Sequence, residues 1–180
     1  MNGSRFIVAA MMVGSAISAI PAAAQGCSGS DSCSATNTAS VTVGALVNLG
    51  MSSATTTLTA PAAADLATGY VADVGPSFVI QANQDWTMSI KSAPANTTNW
   101  TYVGTKGGVK AIGDLKWSTA VGGTFTALTA SATSVASSAT PSDAAAVAMF
   151  FRTAYASTYS AVNNRPGVYS LPIVFTLSAP

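Results

Sequence analysis

The chain contains no histidine and no glutamate. Without histidine, the Ser-His-Asp and Cys-His arrangements that activate a nucleophile are excluded in their usual form. The acids are six aspartates, at positions 31, 65, 73, 85, 114 and 143. A glycosidase needs two carboxylates placed across one bond. Here the acids are scattered, and Asp85 in "NQDW" and Asp143 in "TPSDA" read as turn and cap residues. Basic residues are equally few, seven in all, and the formal net charge is +1. That balance gives no electrostatic reason to bind nucleic acid or an anionic membrane. The phosphate-binding loop, the dinucleotide glycine fingerprint and the calcium loop are all missing. "YVGTKGGVKAIGD" is rich in glycine but lacks their spacing, so it reads as a loop between strands. No S-x-x-K motif marks a Ser-Lys dyad. No cofactor is implied.

Cysteine is nearly absent too, with two residues, Cys27 and Cys33. Two thiols without histidine make a poor metal site. In an oxidising compartment they are expected to form a disulfide closing a small polar loop, with a modest entropic effect because the loop is short.

The first 24 residues read as a secretory signal: Arg5, an apolar stretch from Phe6 to Ile20, then Pro21 and the small-residue run Ala22-Ala23-Ala24. Cleavage there leaves Gln25 first. An uncleaved anchor and a lipidated Cys27 are the competing readings. The apolar stretch is short for a span, and Ala24-Gln25-Gly26 lacks the aliphatic residue expected before an acylated cysteine. The expected organisation is a signal over 1–24, a flexible segment with Cys27–Cys33 over 25–38, and one domain over 39–180. The mature chain has no expected membrane span.

Period-two alternation fills that domain. Ala39, Val41, Val43, Ala45, Val47 and Leu49 alternate with polar residues and predict a half-buried strand. "MSSATTTLT" over 51–59 is a thinner candidate. In "PSFVIQANQDWTMSIKSA", Phe78, Ile80 and Ala82 face Trp86, Met88 and Ile90 across the turn residues Asn83-Gln84-Asp85, which predicts a hairpin. Further strands are expected at 100–103, 114–119 and 124–129, the last two joined through Gly122-Gly123. Residues 131–142 read as a loop or irregular edge. The segment from Ser142 to Ser157 has the alanine content of a helix with Ser142 or Asp143 as N-cap, but its aromatic second half, 145–153, favours a strand. Asn163 to Gly167 mark a turn. In the last segment Tyr169, Leu171, Ile173, Phe175 and Leu177 form one apolar face, and Pro172 predicts an edge position or a bulge.

About eight short strands with frequent turns predict an all-β fold, an immunoglobulin-like antiparallel β-sandwich. A membrane barrel also alternates, but it needs more aromatic girdle residues than are present. Trp86 and Trp117 sit at strand positions with apolar partners and are expected in the core. Trp100, among Thr and Asn, is the tryptophan expected to be exposed and to contact a ligand.

"DWTMSI" with the later "PGVYSLPIVFTLSAP" resembles the WxL domain of bacterial cell-surface proteins. The two motifs fall at Trp86-Thr87-Met88 and Phe175-Thr176-Leu177, with Gly167, Tyr169 and the terminal Ala-Pro at matching spacing. The family has Trp-x-Leu at both places, so Met88 and Phe175 are departures. The resemblance implies non-covalent association with the cell wall. The chain also resembles chaperone–usher pilins, which are incomplete immunoglobulin-like sandwiches that donate an N-terminal strand to a neighbour. Gly167 matches the pilin glycine, while Ala179 stands where pilins carry tyrosine. That resemblance implies Ala39–Leu49 as a donor, with Val41, Val43 and Val47 as its assembly residues.

The expected protein is therefore an exported bacterial surface or extracellular component that acts by contact, with itself or another surface protein as partner. A monomeric module for cell-wall glycan is the second reading. A hydrolase working without histidine is the third.

Overall fold

Alternating side chains bury one face of each strand and leave the other in water, and two such sheets close over one core. A computed structural model describes Ser32, Ser34 and residues 37–180. The expected signal, and Cys27 and Cys33 with the disulfide expected between them, lie outside the described residues. Residues 43–180 form one compact unit. Its ten strands are β1 (Val47–Met51), β2 (Tyr70–Ala82), β3 (Trp86–Ser92), β4 (Thr101–Val103), β5 (Leu115–Ser118), β6 (Thr126–Ala127), β7 (Thr133–Ser138), β8 (Ser142–Ala154), β9 (Val168–Ser170) and β10 (Ile173–Ser178). The fold is all-β as expected, with ten strands rather than eight.

One sheet has the order β1-β2-β8-β5-β6 and the other β10-β3-β7. A small ribbon pairs β4 with β9. Every pairing is antiparallel. The long pair β2–β8 spans Tyr70↔Ala154 to Ala82↔Ser142. Its register shifts between Val74 and Ser77, where Gly75 and Pro76 stand. Proline cannot donate to the ladder, so a bulge accommodates it there. The bulge also changes which parity faces inward, from Val71 before it to Phe78, Ile80 and Ala82 after it.

The predicted hairpin at 76–93 is the main topological correction. Both arms are strands, and their apolar faces are as read. Yet β2 and β3 belong to different sheets. Asn83-Gln84-Asp85 carries the chain across the sandwich, so Phe78 and Ile80 meet Met88 and Ile90 through the core instead of through a ladder. The Gly122-Gly123 connection does join two paired strands, β5 and β6.

Two segments with open readings resolve as strands, in keeping with the strand expected at 145–153 and the edge expected within 131–142, and one element differs from expectation. Alanine propensity in 142–154 loses to burial. Val147, Met149 and Phe151 alternate into the core, so β8 is a strand throughout, and Ser142 and Asp143 begin it rather than cap a helix. Residues 133–138 are an edge strand. Past Met51 the 51–59 stretch is not a strand, and α1 (Ala63–Thr68) follows it. Gly69 ends α1 with φ 85° and donates its N–H to the Asp65 carbonyl oxygen, the left-handed stop that glycine adopts without steric cost.

The core gathers Phe78, Ile80, Trp86, Met88, Ile90, Leu115, Trp117, Leu128, Val147, Met149 and Phe151. Tyr169, Leu171, Ile173, Phe175 and Leu177 pack against it and are half-buried. The last strand thus closes the sandwich from an edge, in keeping with Pro172 just before it. Phe175 meets Phe78 with ring centroids 4.6 Å apart.

Candidate functional site

The predicted strand over 39–49 forms only from Val47 onward. Val41 is 87% exposed, Val43 69% and Val47 43%. Val41 and Val43 precede β1, and among the described residues β1 pairs with β2 alone as the terminal strand of its sheet. Its outer edge therefore carries unpaired backbone groups beside apolar side chains, the combination that templates strand addition. Ahead of it, Asn83 holds the incoming chain. Its Oδ1 accepts the Leu46 N–H (2.8 Å), its Nδ2 donates to the Gly44 carbonyl (2.9 Å), and its own N–H donates to the Leu46 carbonyl (3.2 Å).

Trp100 is not an exposed platform. It is 8% exposed and belongs to the core. Its Nε1–H donates to the Ala111 carbonyl (2.9 Å), and its backbone N–H donates to Lys110 (2.8 Å). The polar neighbours that pointed to exposure serve each other: buried Asn96 donates through Nδ2 to the Asn99 carbonyl and the Thr101 hydroxyl. Trp86 and Trp117 are buried as expected. Trp86 donates its indole N–H to Ser142 Oγ at 3.2 Å.

At one end of the sandwich the 104–111 loop wraps a tyrosine cluster. Tyr102 and Tyr169, paired across β4 and β9, have centroids 4.9 Å apart. Tyr169 donates its hydroxyl to the Arg165 carbonyl four residues upstream (2.9 Å), a tyrosine-corner arrangement. Tyr102 donates to the Pro166 carbonyl (2.9 Å). Lys110 is 2% exposed, with Nζ donating to Ala154 and lying 4.0 Å from the Tyr155 ring centre. Burial pushes the Lys110 pKa below its ordinary value, with Asp114 opposing in part. Burial pushes Tyr155 and Tyr169 up, helped by Asp73 at the first and Tyr102 at the second. The loop fills the space around these rings, and the cluster acts as a structural plug.

The aspartates that bond the backbone do so as caps and braces: Asp65 to Ala62 N–H (2.7 Å), Asp73 to Thr59 N–H (3.0 Å) and Asp114 to Ala111 N–H (3.1 Å). Among the described residues no three of His, Cys, Asp and Glu gather as metal ligands. None of their helices is long and apolar enough to cross a membrane.

The feature that sequence reading passed over is the outer face of the β10-β3-β7 sheet. The cross-strand partners Ser178↔Thr87↔Ser137 form one row there, and Thr176↔Ser89↔Ser134 the next. Five of these six are exposed and Ser89 is half-buried. Lys91 and Val174 face each other in the following row. The signal lay in the polar half of the alternation in "WTMSIKS" and "FTLS", which period-two reading treats as mere solvent face. The same register sets Leu177 opposite Met88, so the two Trp-x-Leu-like motifs lie side by side on adjacent strands. Beyond the first row a shallow groove of about 390 Å³ is lined by residues including Asp85, Trp86, Ser138 and Ala139. No family model matches this chain, and no curated protein matches it either.

Proposed function

We propose that this chain is an exported bacterial surface or extracellular structural protein that acts by contact rather than by turnover, and that copies associate through the segment leading into β1. The observation that carries this reading is the run of exposed apolar residues Val41, Val43, Leu46 and Val47 entering β1, which among the described residues is a terminal strand with one partner. Water-facing valines at alternate positions are unfavourable alone and become favourable when a second strand covers them. Asn83 hydrogen-bonds Gly44 and Leu46, which anchors the chain where it enters β1. The weak charge of the chain leaves little repulsion to oppose association.

The test is light scattering of the full chain across concentration, with negative-stain images of the same samples. Oligomers or fibres that grow with concentration are expected, and Val41→Asp together with Val43→Asp is expected to return the protein to monomer. A wild-type chain that stays monomeric throughout overturns the reading.

A further inference from the structure

We propose that Arg152 and Lys116, on the outer face of the five-stranded sheet, bind a phosphate monoester carried on a small molecule. Arg152 pairs with Ala72, at the other end of β2 from its pairing with β1, so this site stands apart from the association proposed above.

The geometry begins with register. Val147, Met149, Phe151 and Thr153 point into the core, so Arg152 points outward. Ala72 on β2 and Lys116 on β5 are its cross-strand partners, and Ala127 on β6 follows Lys116 in the same row. Two cations therefore stand opposite each other between two small side chains. Residues so placed have Cβ atoms about 5 Å apart, and like charges there repel. Among the described residues no carboxylate forms an ion pair with either cation. Asp65, Asp73 and Asp114 bond backbone N–H groups elsewhere. Asp143 lies near the start of β8, roughly 30 Å along the strand from Arg152. Asp85 precedes β3 of the other sheet.

The guanidinium is held in place by two rings. Its Cζ lies 4.4 Å from the Tyr70 ring centre and 4.0 Å from the Phe125 ring centre. Tyr70 belongs to β2 and Phe125 directly precedes β6, so the rings come from opposite sides of β8. These cation–π contacts position the group and leave its hydrogen bonding unused. Nε is buried and has no partner. The two terminal nitrogens are not covered in this way, and they are the donors that face a ligand. Arg152 is half-buried and Lys116 exposed, which sets a fixed fork beside a flexible point charge.

Charge selects the ligand. Two cations match a dianion. A phosphate monoester carries close to two negative charges at pH 7 and presents three acceptor oxygens. A guanidinium takes two oxygens in parallel, and an ammonium supplies a point charge for the third. A carboxylate or a phosphodiester brings one charge and leaves one cation unmatched. The rings flanking the half-buried guanidinium admit a single phosphate group more readily than a flat array of headgroups, which places the phosphate on a small molecule.

The test is an NMR titration of the isotope-labelled full chain with glycerol phosphate, read at the Arg152 Nε–H signal. A saturable shift is expected there. Arg165, whose side chain already donates to the Lys106 and Gly107 carbonyls, is the internal reference and is expected to stay. Affinity is expected to rise severalfold from roughly pH 5.5 to 7.5, as the phosphate takes its second charge near pH 6. Among the described residues Lys116 on β5 and Tyr70 on β2 are the titratable groups beside Arg152, and the chain has no histidine to titrate in that range. Lys116→Gln removes one charge-assisted contact and is expected to weaken binding about tenfold. Lys116 is exposed, so this variant keeps the fold, and without phosphate it is expected to melt no lower than the wild type because the opposed charges are gone. Arg152→Lys keeps the charge, removes the fork and is expected to weaken binding as well. The proposal is overturned if the shift does not saturate, if acetate shifts Arg152 as strongly, or if Lys116→Gln binds like the wild type. It is also overturned if vesicles of phosphatidic acid capture the chain while glycerol phosphate leaves Arg152 unshifted.

Discussion

Lys110 Nζ lies 2.6 Å from the carbonyl oxygen of Ala154, joining the 104–111 loop to the last residue of β8. The ammonium also sits over the Tyr155 ring, whose face attracts a cation. Replacing it with methionine keeps the apolar stem and leaves the half-buried Ala154 carbonyl without its donor. Lys110→Met is expected to cost about 1–3 kcal/mol, measured by urea denaturation.

The same lysine sets a dependence on pH. Burial disfavours its charged form, so the folded chain releases that proton below the ordinary 10.5 at which the unfolded chain does. In that window the unfolded state binds more protons, and stability rises with pH. Tyr155 and Tyr169 act in the opposite sense. Their folded values lie above the ordinary 10.0, so above that pH the unfolded chain has lost protons that the folded chain still holds, and stability falls. The denaturation midpoint is expected to climb as pH approaches 10 and then to drop. Lys110→Met is expected to remove the climb and keep the drop.

Gly108 and Gly122 are both loop glycines with opposite surroundings. A Cβ on Gly108 would fall on the Tyr169 hydroxyl and within 2.7 Å of Tyr102 Cε2. Gly122 has nothing within 4 Å of that position. Gly108→Ala is expected to destabilise by about 1–3 kcal/mol through overpacking of the tyrosine cluster. Gly122→Ala is expected to stay within about 0.5 kcal/mol of the wild type. Thermal melts of the two variants side by side check both.

All three tryptophans are buried. Emission of the folded chain is expected at shorter wavelength than that of the unfolded chain, with weak quenching by acrylamide. Because Trp100 packs in the core, Trp100→Ala is expected to cost about 3–5 kcal/mol. Strong acrylamide quenching of the native protein would contradict the placement of these rings.

The inward-facing residues were legible from the sequence because burial imposes a period of two. Phe78, Ile80, Met88, Ile90 and Met149 obey it in every strand that has a partner on its inner side. Which strands pair was not legible, since a turn such as Asn83-Gln84-Asp85 serves a hairpin and an inter-sheet crossing equally well. The Val41/Val43 alternation misled for a related reason: period two reports amphipathicity, and an amphipathic strand without a covering sheet looks the same in one dimension. Trp100 misled because Asn96, Asn99 and Thr101 satisfy one another, so polar neighbours did not mean solvent. The hydroxyl rows needed the register of three strands that are remote in sequence, and no single segment contains that information.

The crossing at Asn83-Gln84-Asp85 also bears on how the chain reaches its fold. With no local ladder between β2 and β3, β2 must find the central strand β8, whose pairing with it runs from Ala82↔Ser142 to Tyr70↔Ala154. Closing so long a loop costs entropy before any contact repays it, which places folding in the slow, millisecond-to-second class of β-sandwiches. Until that closure the apolar faces of both sheets stand open to other chains. A newly made copy is thus at its most adhesive before it is folded, and the order in which β2 meets β8 or a neighbour decides between a native subunit and an aggregate.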